Sequence, residues 1–174
     1  MSEVGNSGEW TFLQNGCNQD VTFIWDKGIA DESFSIAKSK SAGVDPGPNV
    51  DTNSRSWTFY NVKPGIWYIN VKAGQTCGWG KVVYWKVEVP AVKPTLNVRE
   101  EIITEKERRL LVDSECATSV TSDKPLRNIR PGNATSTIYP TKDTTYTVYA
   151  KSGKEVTFRS IEVKYPLPTP TPTP

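Results

Sequence analysis

WTFYNVKPGIWYINVKA, residues 57–73, is the stretch that decides the fold class. Apolar and polar residues alternate on both sides of Pro64-Gly65, and alternation with a period of two is the pattern of a half-buried strand. Proline followed by glycine presets the backbone for a turn. The stretch therefore predicts two strands joined by a turn, with Trp57 and Trp67 facing a core.

The same alternation continues through the first half of the chain. Residues 21–25 (VTFIW) place Val21, Phe23 and Trp25 on one face. Shorter alternating runs recur around it, and a polar stretch rich in Ser, Asp, Gly and Pro covers residues 38–55. About seven strands with turn signals every 8–12 residues or so are typical of an antiparallel β-sandwich.

A second strand-rich region follows the short, stiff joint at residues 90–94. Residues 99–109 are highly charged, but the β-branched run Ile102-Ile103-Thr104 favours an edge strand and a turn over a helix. We predict an all-β chain of two tandem antiparallel β-sandwiches. The predicted boundaries are a flexible N-terminus at 1–8, a first sandwich at 9–90, a linker at 91–94, a second sandwich at 95–165 and a disordered Pro/Thr-rich tail at 166–174.

Residues 57–73 resemble the corner between strands E and F of bacterial fibronectin type III domains, which reads Leu-x-Pro-Gly, aromatics, then Arg-Val-x-Ala. Here Val62 stands at the leucine position and Trp67 at that of the corner tyrosine. The resemblance covers residues 9–90 and implies a type III sandwich, with residues 21–25 as strand B and 34–36 as strand C. The indole N–H of Trp67 can donate one hydrogen bond to the corner backbone.

Residues 140–150 (PTKDTTYTVYA) resemble the Pro-Thr-x-Thr-Thr-Tyr-Thr-Leu signature of bacterial and archaeal surface Ig-like domains. The resemblance covers residues 93–165 and implies an Ig-like sandwich. Many relatives have a disulfide whose matching positions are Val120 and Ala150 here. The resemblance implies that apolar packing replaces that disulfide, with Cys116 beside the site.

Catalytic and metal-binding patterns are scarce. The chain has no histidine, which removes the commonest general base and metal ligand. We expect the adjacent carboxylates Asp31-Glu32 and Glu100-Glu101 to be solvated loop charge, because neighbours on a strand face opposite sides and cannot flank one glycosidic bond. The acidic loop at residues 45–51 lacks the spacing of an EF-hand. We predict no enzymatic activity, no catalytic residues, no cofactor and no metal site.

Charge and hydropathy restrict the partners. The formal net charge is +2, which is too small for a nucleic-acid-binding field. No apolar run approaches the roughly 18 residues of a spanning helix, so we predict no membrane insertion within this segment. The tail at 166–174 (PLPTPTPTP) favours a polyproline II linker leading to further domains.

The three cysteines, Cys17, Cys77 and Cys116, leave two interpretations open. They form one disulfide and one buried thiol, or they are three reduced thiols. The assigned strands place Cys17 and Cys77 in turns at opposite ends of the first sandwich. A bond between those two is therefore not expected, because disulfide-bonded Cα atoms lie within about 7 Å of each other.

Aromatic residues exceed what two cores need, with six tryptophans and seven tyrosines. Trp79 lies in a glycine-flanked turn, and Tyr60, Tyr68 and Tyr84 fall on the opposite parity from their core neighbours. These four residues form an exposed platform for a glycan or a cell-surface protein, or Trp79 closes the sandwich end and the tyrosines lie at the joint between domains. Both interpretations remain open.

The predicted function follows from the type of module. We expect a non-catalytic spacer or adhesion module of a larger secreted or surface-anchored protein, and therefore an extracellular or cell-surface location. The residues before Trp10 do not resemble a signal peptide. The alternative is a carbohydrate-binding accessory module of a secreted glycan-active protein, with Trp79, Tyr60, Tyr68 and Tyr84 as its binding residues.

Overall fold

A computed structural model describes residues 8–25, 33–75 and 78–165. The described residues form thirteen β-strands and no helix, so the predicted all-β class is confirmed. All of the strand pairs are antiparallel. The chain divides into two compact units, Met1–Ala91 and Val92–Pro174.

The first unit contains two sheets. Its strands are β1 (Gly8–Asn15), β2 (Asn18–Trp25), β3 (Ser33–Ser39), β4 (Ser56–Val62), β5 (Gly65–Gln75), β6 (Gly78–Trp79) and β7 (Val83–Val89). Strand β2 lies between β1 and β4, while β5 lies between β3 and the edge formed by β6 and β7. Strand β1 begins one residue before the predicted boundary. Consecutive strands β3 and β4 therefore lie in different sheets, connected by residues 40–55.

An aromatic cluster fills the core of the first unit. Phe23 is fully buried, and its ring lies 4.3 Å from Trp10, 4.8 Å from Trp85 and 5.5 Å from Trp25, centroid to centroid. Alternation along β2 directs both Phe23 and Trp25 inward. Trp57 and Trp67 pack against the same core, as the alternation predicts.

The second unit repeats this order of strand pairing. Its strands are β8 (Thr95–Ile102), β9 (Arg108–Glu115), β10 (Ser119–Ser122), β11 (Gly132–Ile138), β12 (Thr144–Ser152) and β13 (Glu155–Val163). Strand β9 lies between β8 and β11, and β12 lies between β10 and β13. The charged residues 99–109 form the β8–β9 hairpin, as the β-branched run predicts.

Aliphatic side chains fill the core of the second unit. Leu110, Val112 and Val148 are fully buried. Val120 and Ala150 are also buried and lie directly opposite each other in the β10–β12 pair. Small apolar side chains thus occupy both positions that the Ig-like resemblance singles out.

The cysteines are not all reduced. Cys17, in the two-residue turn between β1 and β2, and Cys116 are both disulfide-bonded. Gly16 begins that turn with φ = 59°, a left-handed conformation that glycine adopts without strain. Cys77 lies outside the described residues. The interpretation with three reduced thiols is therefore wrong.

Candidate functional site

Three of the four predicted binding residues lie on the outer face of one sheet of the first unit. Tyr68 lies on β5, Tyr84 on β7 and Trp79 on β6. The rings of Tyr68 and Tyr84 meet edge to face, with centroids 6.2 Å apart and an interplanar angle of 69°. The two rings therefore form a compact pair rather than one flat platform.

Tyr60 lies elsewhere. It belongs to β4, in the sheet of β1, β2 and β4, and its side chain is 73% exposed. Phe59, its neighbour on β4, points into the core, so alternation directs Tyr60 to solvent. The structure thus brings Tyr68 and Tyr84 together, places Trp79 on the same face near the other end of β5, and leaves Tyr60 on a different sheet.

Trp79 packs onto the sheet. The sequence places it in a turn, but it lies in the short strand β6, opposite Gly74 of β5. A Cβ atom at Gly74 would lie 2.5 Å from Ser33 Oγ and 3.1 Å from the nearest carbon of the indole ring, so the ring packs closely against the backbone of β5. Lys72 Nζ lies 5.6 Å from the centroid of the same ring. Trp79 is consequently half-buried against β5.

An ion pair lies beside these aromatic rings. Lys72 Nζ lies 2.7 Å and 3.0 Å from the two carboxylate oxygens of Asp45. The hydrogen bond from Lys72, helped by one from the Gly47 N–H, holds the pKa of Asp45 below its ordinary value. The site thus combines an indole ring with a fixed ammonium and carboxylate, groups that recognise polar ligands.

Residues 40–55 cover much of the same face. The Val44 N–H donates to Asn70 Oδ1 over 3.1 Å, and Gly43 lies against Tyr84, because a Cβ there would be 3.9 Å from its ring. Asn70 and Ser35 are fully buried although alternation places both on the outer face. Sequence reasoning missed this cover, and the signal for it is a polar Asn70 in the middle of an apolar strand.

The acidic loop uses its carboxylates within the protein. Asp51 accepts a hydrogen bond from the Ile36 N–H over 2.8 Å, and Asp45 is paired with Lys72. Within residues 8–25, 33–75 and 78–165, no group of three or more His, Cys, Asp or Glu side chains could hold a metal ion. This loop is therefore bonded to both β3 and β5 of the sheet that it covers.

One prediction about charge is wrong. Glu100 lies in β8, and its carboxylate pairs with Arg108 Nε over 3.0 Å instead of being solvated loop charge. Arg108 begins β9, faces inward and is fully buried, and it also donates to the carbonyls of Thr104 and Glu107. Asp31 and Glu32 lie outside the described residues.

A second aromatic pair lies on the outer face of the second unit, and the sequence analysis did not single it out. Tyr149 of β12 and Phe158 of β13 are directly opposite each other, with ring centroids 6.3 Å apart. Their positions follow the same rule as Tyr60, because Val148 and Ala150 beside Tyr149 point into the core.

Comparison with known proteins gives no relative: no protein-family model and no curated protein matches the chain. In the described part of the chain, no helix has the length and apolar character needed to cross a membrane.

Proposed function

We propose that the chain is a non-catalytic spacer or adhesion module, a fibronectin type III-like sandwich followed by an Ig-like one, within a larger secreted or surface-anchored protein. The observation that carries the proposal is the order of strand pairing. In each unit the first, second and fourth strands form one sheet, paired in the orders β1-β2-β4 and β8-β9-β11. The strands of the other sheet pair in the orders β3-β5-β7 and β10-β12-β13. This order matches the two sheets of such sandwiches, apart from one further edge strand.

The corner of the first unit supports the type III assignment. The indole Nε1–H of Trp67 donates to the Lys63 carbonyl over 2.8 Å. In the tyrosine corner of such sandwiches, a tyrosine near the start of strand F bonds the backbone a few residues upstream. Trp67 lies near the start of β5, which matches strand F in the resemblance. In this chain the indole of Trp67 donates the bond that a tyrosine hydroxyl would otherwise make.

The disulfide-bonded cysteines support an extracellular location. Cys17 and Cys116 are oxidised, and stable disulfides form in secreted and surface proteins rather than in a reducing cytosol.

Single-molecule stretching tests the proposal. The chain is tethered by its ends, with reductant present so that disulfides do not shorten the released length. Two independent modules should give two separate unfolding events, each releasing roughly 250–300 Å of chain. One event that releases both lengths together would contradict independent modules, and turnover of a glycan or peptide by the pure protein would contradict the absence of catalysis.

Glycan binding is the second candidate function, and the position of Trp79 favours it. The indole ring lies on the sheet beside the Lys72–Asp45 pair, and Tyr68 and Tyr84 share the same face. An aromatic ring next to fixed polar groups is how proteins hold a flat polar ligand. The covering residues 40–55 limit the site to the end of the face nearest Trp79.

Tryptophan fluorescence during glycan titration tests this second candidate. Binding at the site should shift the emission, and Trp79→Ala should abolish the shift. Tyr60→Ala is the matched control, because Tyr60 lies on the other sheet and should leave binding unchanged. A shift that survives Trp79→Ala, or one that Tyr60→Ala abolishes, would place any glycan elsewhere.

A further inference from the structure

Two faces of the molecule occupy equivalent positions in the two units. In the first unit, Asn70 of β5 lies opposite Tyr84 of β7, and Lys72 follows two residues later on β5. In the second unit, Tyr149 of β12 lies opposite Phe158 of β13, and Lys151 follows two residues later on β12. We call Asn70, Lys72 and Tyr84 the covered face, and Tyr149, Lys151 and Phe158 the open face.

The covered face holds a loop segment supplied by the chain itself, with Gly43 in a turn at φ = 70°. Gly43 lies against the Tyr84 ring, the Val44 N–H donates to Asn70, and Asp45 pairs with Lys72. Three consecutive residues thus meet three side chains: a small residue on the ring, a backbone donor on the central strand, and a carboxylate on the lysine.

The open face presents the same kinds of group without a cover. Phe158 is 59% exposed and Tyr149 is 38% exposed. Lys151 is exposed and, unlike Lys72, has no ion-pair partner in the described part of the chain. An aromatic pair exposed beside an unpaired cation is a surface with room for a partner.

We propose that the open face binds a short peptide segment of a partner chain, with a small residue over the Phe158 ring and an acidic residue two positions later on Lys151. Tyr149 occupies the strand position that Asn70 occupies in the first unit, and its phenol oxygen can accept a backbone N–H as Asn70 Oδ1 does there. The unpaired Lys151 supplies the charge complementarity that selects an acidic peptide. This interaction would make the second unit the adhesive part of the module, and it does not depend on glycan binding by the first unit.

Polar groups beside the open face favour a peptide over a sugar. Thr147 and Ser160 are the next outward pair along β12 and β13, and their hydroxyls bond each other over 3.0 Å. This bond uses the donor of one of the two hydroxyls, which leaves fewer donors for the hydroxyls of a glycan. A peptide segment needs one acceptor and one cation here, and both are available.

Peptide titration of the full chain, followed by the backbone amide signals in NMR spectra, tests the proposal. The probe is a synthetic peptide with the sequence of residues 41–51 (SAGVDPGPNVD), which carries the Gly-Val-Asp that covers the first unit. We expect saturable shifts centred on residues 149–151 and 156–158. A peptide with Asn in place of the aspartate of Gly-Val-Asp should bind about tenfold more weakly at low salt.

Variants of the chain separate the proposed contacts from general attraction. Lys151→Glu should weaken binding about tenfold at low salt, with less effect in 1 M salt, where the Debye length is about 3 Å. Phe158→Ser should remove saturable binding. Lys142→Glu is the matched control, because Lys142 is an equally exposed lysine in the turn before β12 and should leave binding unchanged.

Several outcomes would overturn the proposal. Absence of saturable shifts at millimolar peptide would do so, as would shifts centred on β5 and β7 or equal effects of Lys151→Glu and Lys142→Glu. Stronger shifts of the open face with a neutral oligosaccharide than with the peptide would identify it as a glycan site. Each variant's own amide spectrum reports whether the second unit remains folded.

Discussion

The two units share one order of strand pairing but have chemically different cores. Three tryptophan rings surround Phe23 among the aliphatic side chains of the first core, whereas the second core is built mainly from Leu, Val and Ala. Each core also contains imperfectly paired polar atoms. Among the described residues, the indole nitrogens of Trp25 and Trp85 and Nη2 of Arg108 are buried without a hydrogen-bond partner.

The comparison indicates that alternation and turns determine the order of strand pairing. Different sets of apolar side chains can then fill the core volume. In both units most inward positions are apolar at a period of two. The second strand of each unit pairs with the first and fourth strands instead of the third. Cores tolerate different apolar residues when volume and pattern are kept.

The largest expected effect comes from Phe23→Ala. Replacing a fully buried phenylalanine with alanine costs about 3–5 kcal/mol, and here it also leaves three rings without their shared neighbour. All six tryptophans lie in the first unit, at positions 10, 25, 57, 67, 79 and 85. Urea unfolding followed by tryptophan fluorescence should therefore show the full loss of stability.

Leu110→Ala is the matched change in the second unit, and it should cost about 2–5 kcal/mol there. The tryptophan signal comes only from the first unit, so its unfolding midpoint should not move. Amide signals of residues 95–163 should report the loss instead. A parallel shift of the fluorescence transition would mean that the two units do not unfold independently.

The next effect concerns the buried ion pair of the second unit. Glu100→Gln leaves the Arg108 guanidinium buried without its counter-charge, which should destabilise the second unit by about 3 kcal/mol. Amide signals of β8 and β9 during a urea titration measure this loss.

Arg108→Met tests the same pair from the other side. An apolar side chain of similar volume should leave the second unit within about 1 kcal/mol of the parent protein, even when combined with Glu100→Gln. The account would be contradicted if Arg108→Met cost more than Glu100→Gln, because the arginine would then contribute more than its counter-charge explains.

The buried polar residues Arg108 and Asn70 are the features that could not be predicted from the sequence. Alternation along residues 21–25 and 57–73 and the turn at Pro64-Gly65 were enough to predict these strands of the first unit and their inward residues. The charged run 99–109 was predicted as an edge strand and a turn, which matches the end of β8 and the turn after it. The inward direction of Arg108 was not predicted, because charge usually faces solvent. The covering of Asn70 depends on contacts between residues far apart in sequence, which local patterns do not encode.

A smaller effect separates the two corner positions. Trp67→Phe removes the donor to the Lys63 carbonyl and should destabilise the first unit by about 1 kcal/mol or slightly more. Tyr146 lies two residues before the buried Val148, as Trp67 lies two residues before the buried Ile69. Burial raises the pKa of the Tyr146 hydroxyl above its ordinary value. Its hydroxyl makes no hydrogen bond to any residue that the structure describes. Tyr146→Phe should therefore change stability by less than about 0.5 kcal/mol. Equal effects in urea unfolding would contradict this difference.

The smallest effect is the dependence on acid. Hydrogen bonds from Lys72 and Gly47 lower the pKa of Asp45 in the first unit, and the Thr147 N–H, donating over 2.7 Å, chiefly lowers that of Asp123 in the second. A lowered folded-state pKa stabilises the protein above the ordinary aspartate pKa of about 4, and that stability is lost as pH falls through the folded value. Asp45→Asn should reduce the acid sensitivity of the first unit alone, and Asp123→Asn that of the second, in urea midpoints measured between pH 7 and pH 3. If either substitution changed the acid sensitivity of the other unit, this assignment would be contradicted.

Cross-strand nuclear Overhauser effects in the isotopically labelled chain test the shared pairing order most directly. The account predicts backbone contacts between Phe23 and Trp57 in the first unit and between Val112 and Ala134 in the second, because β2 pairs with β4 and β9 pairs with β11. Contacts between β3 and β4, or between β10 and β11, would instead mean that consecutive strands pair in a simple meander. That result would contradict the common topology on which the proposed function rests.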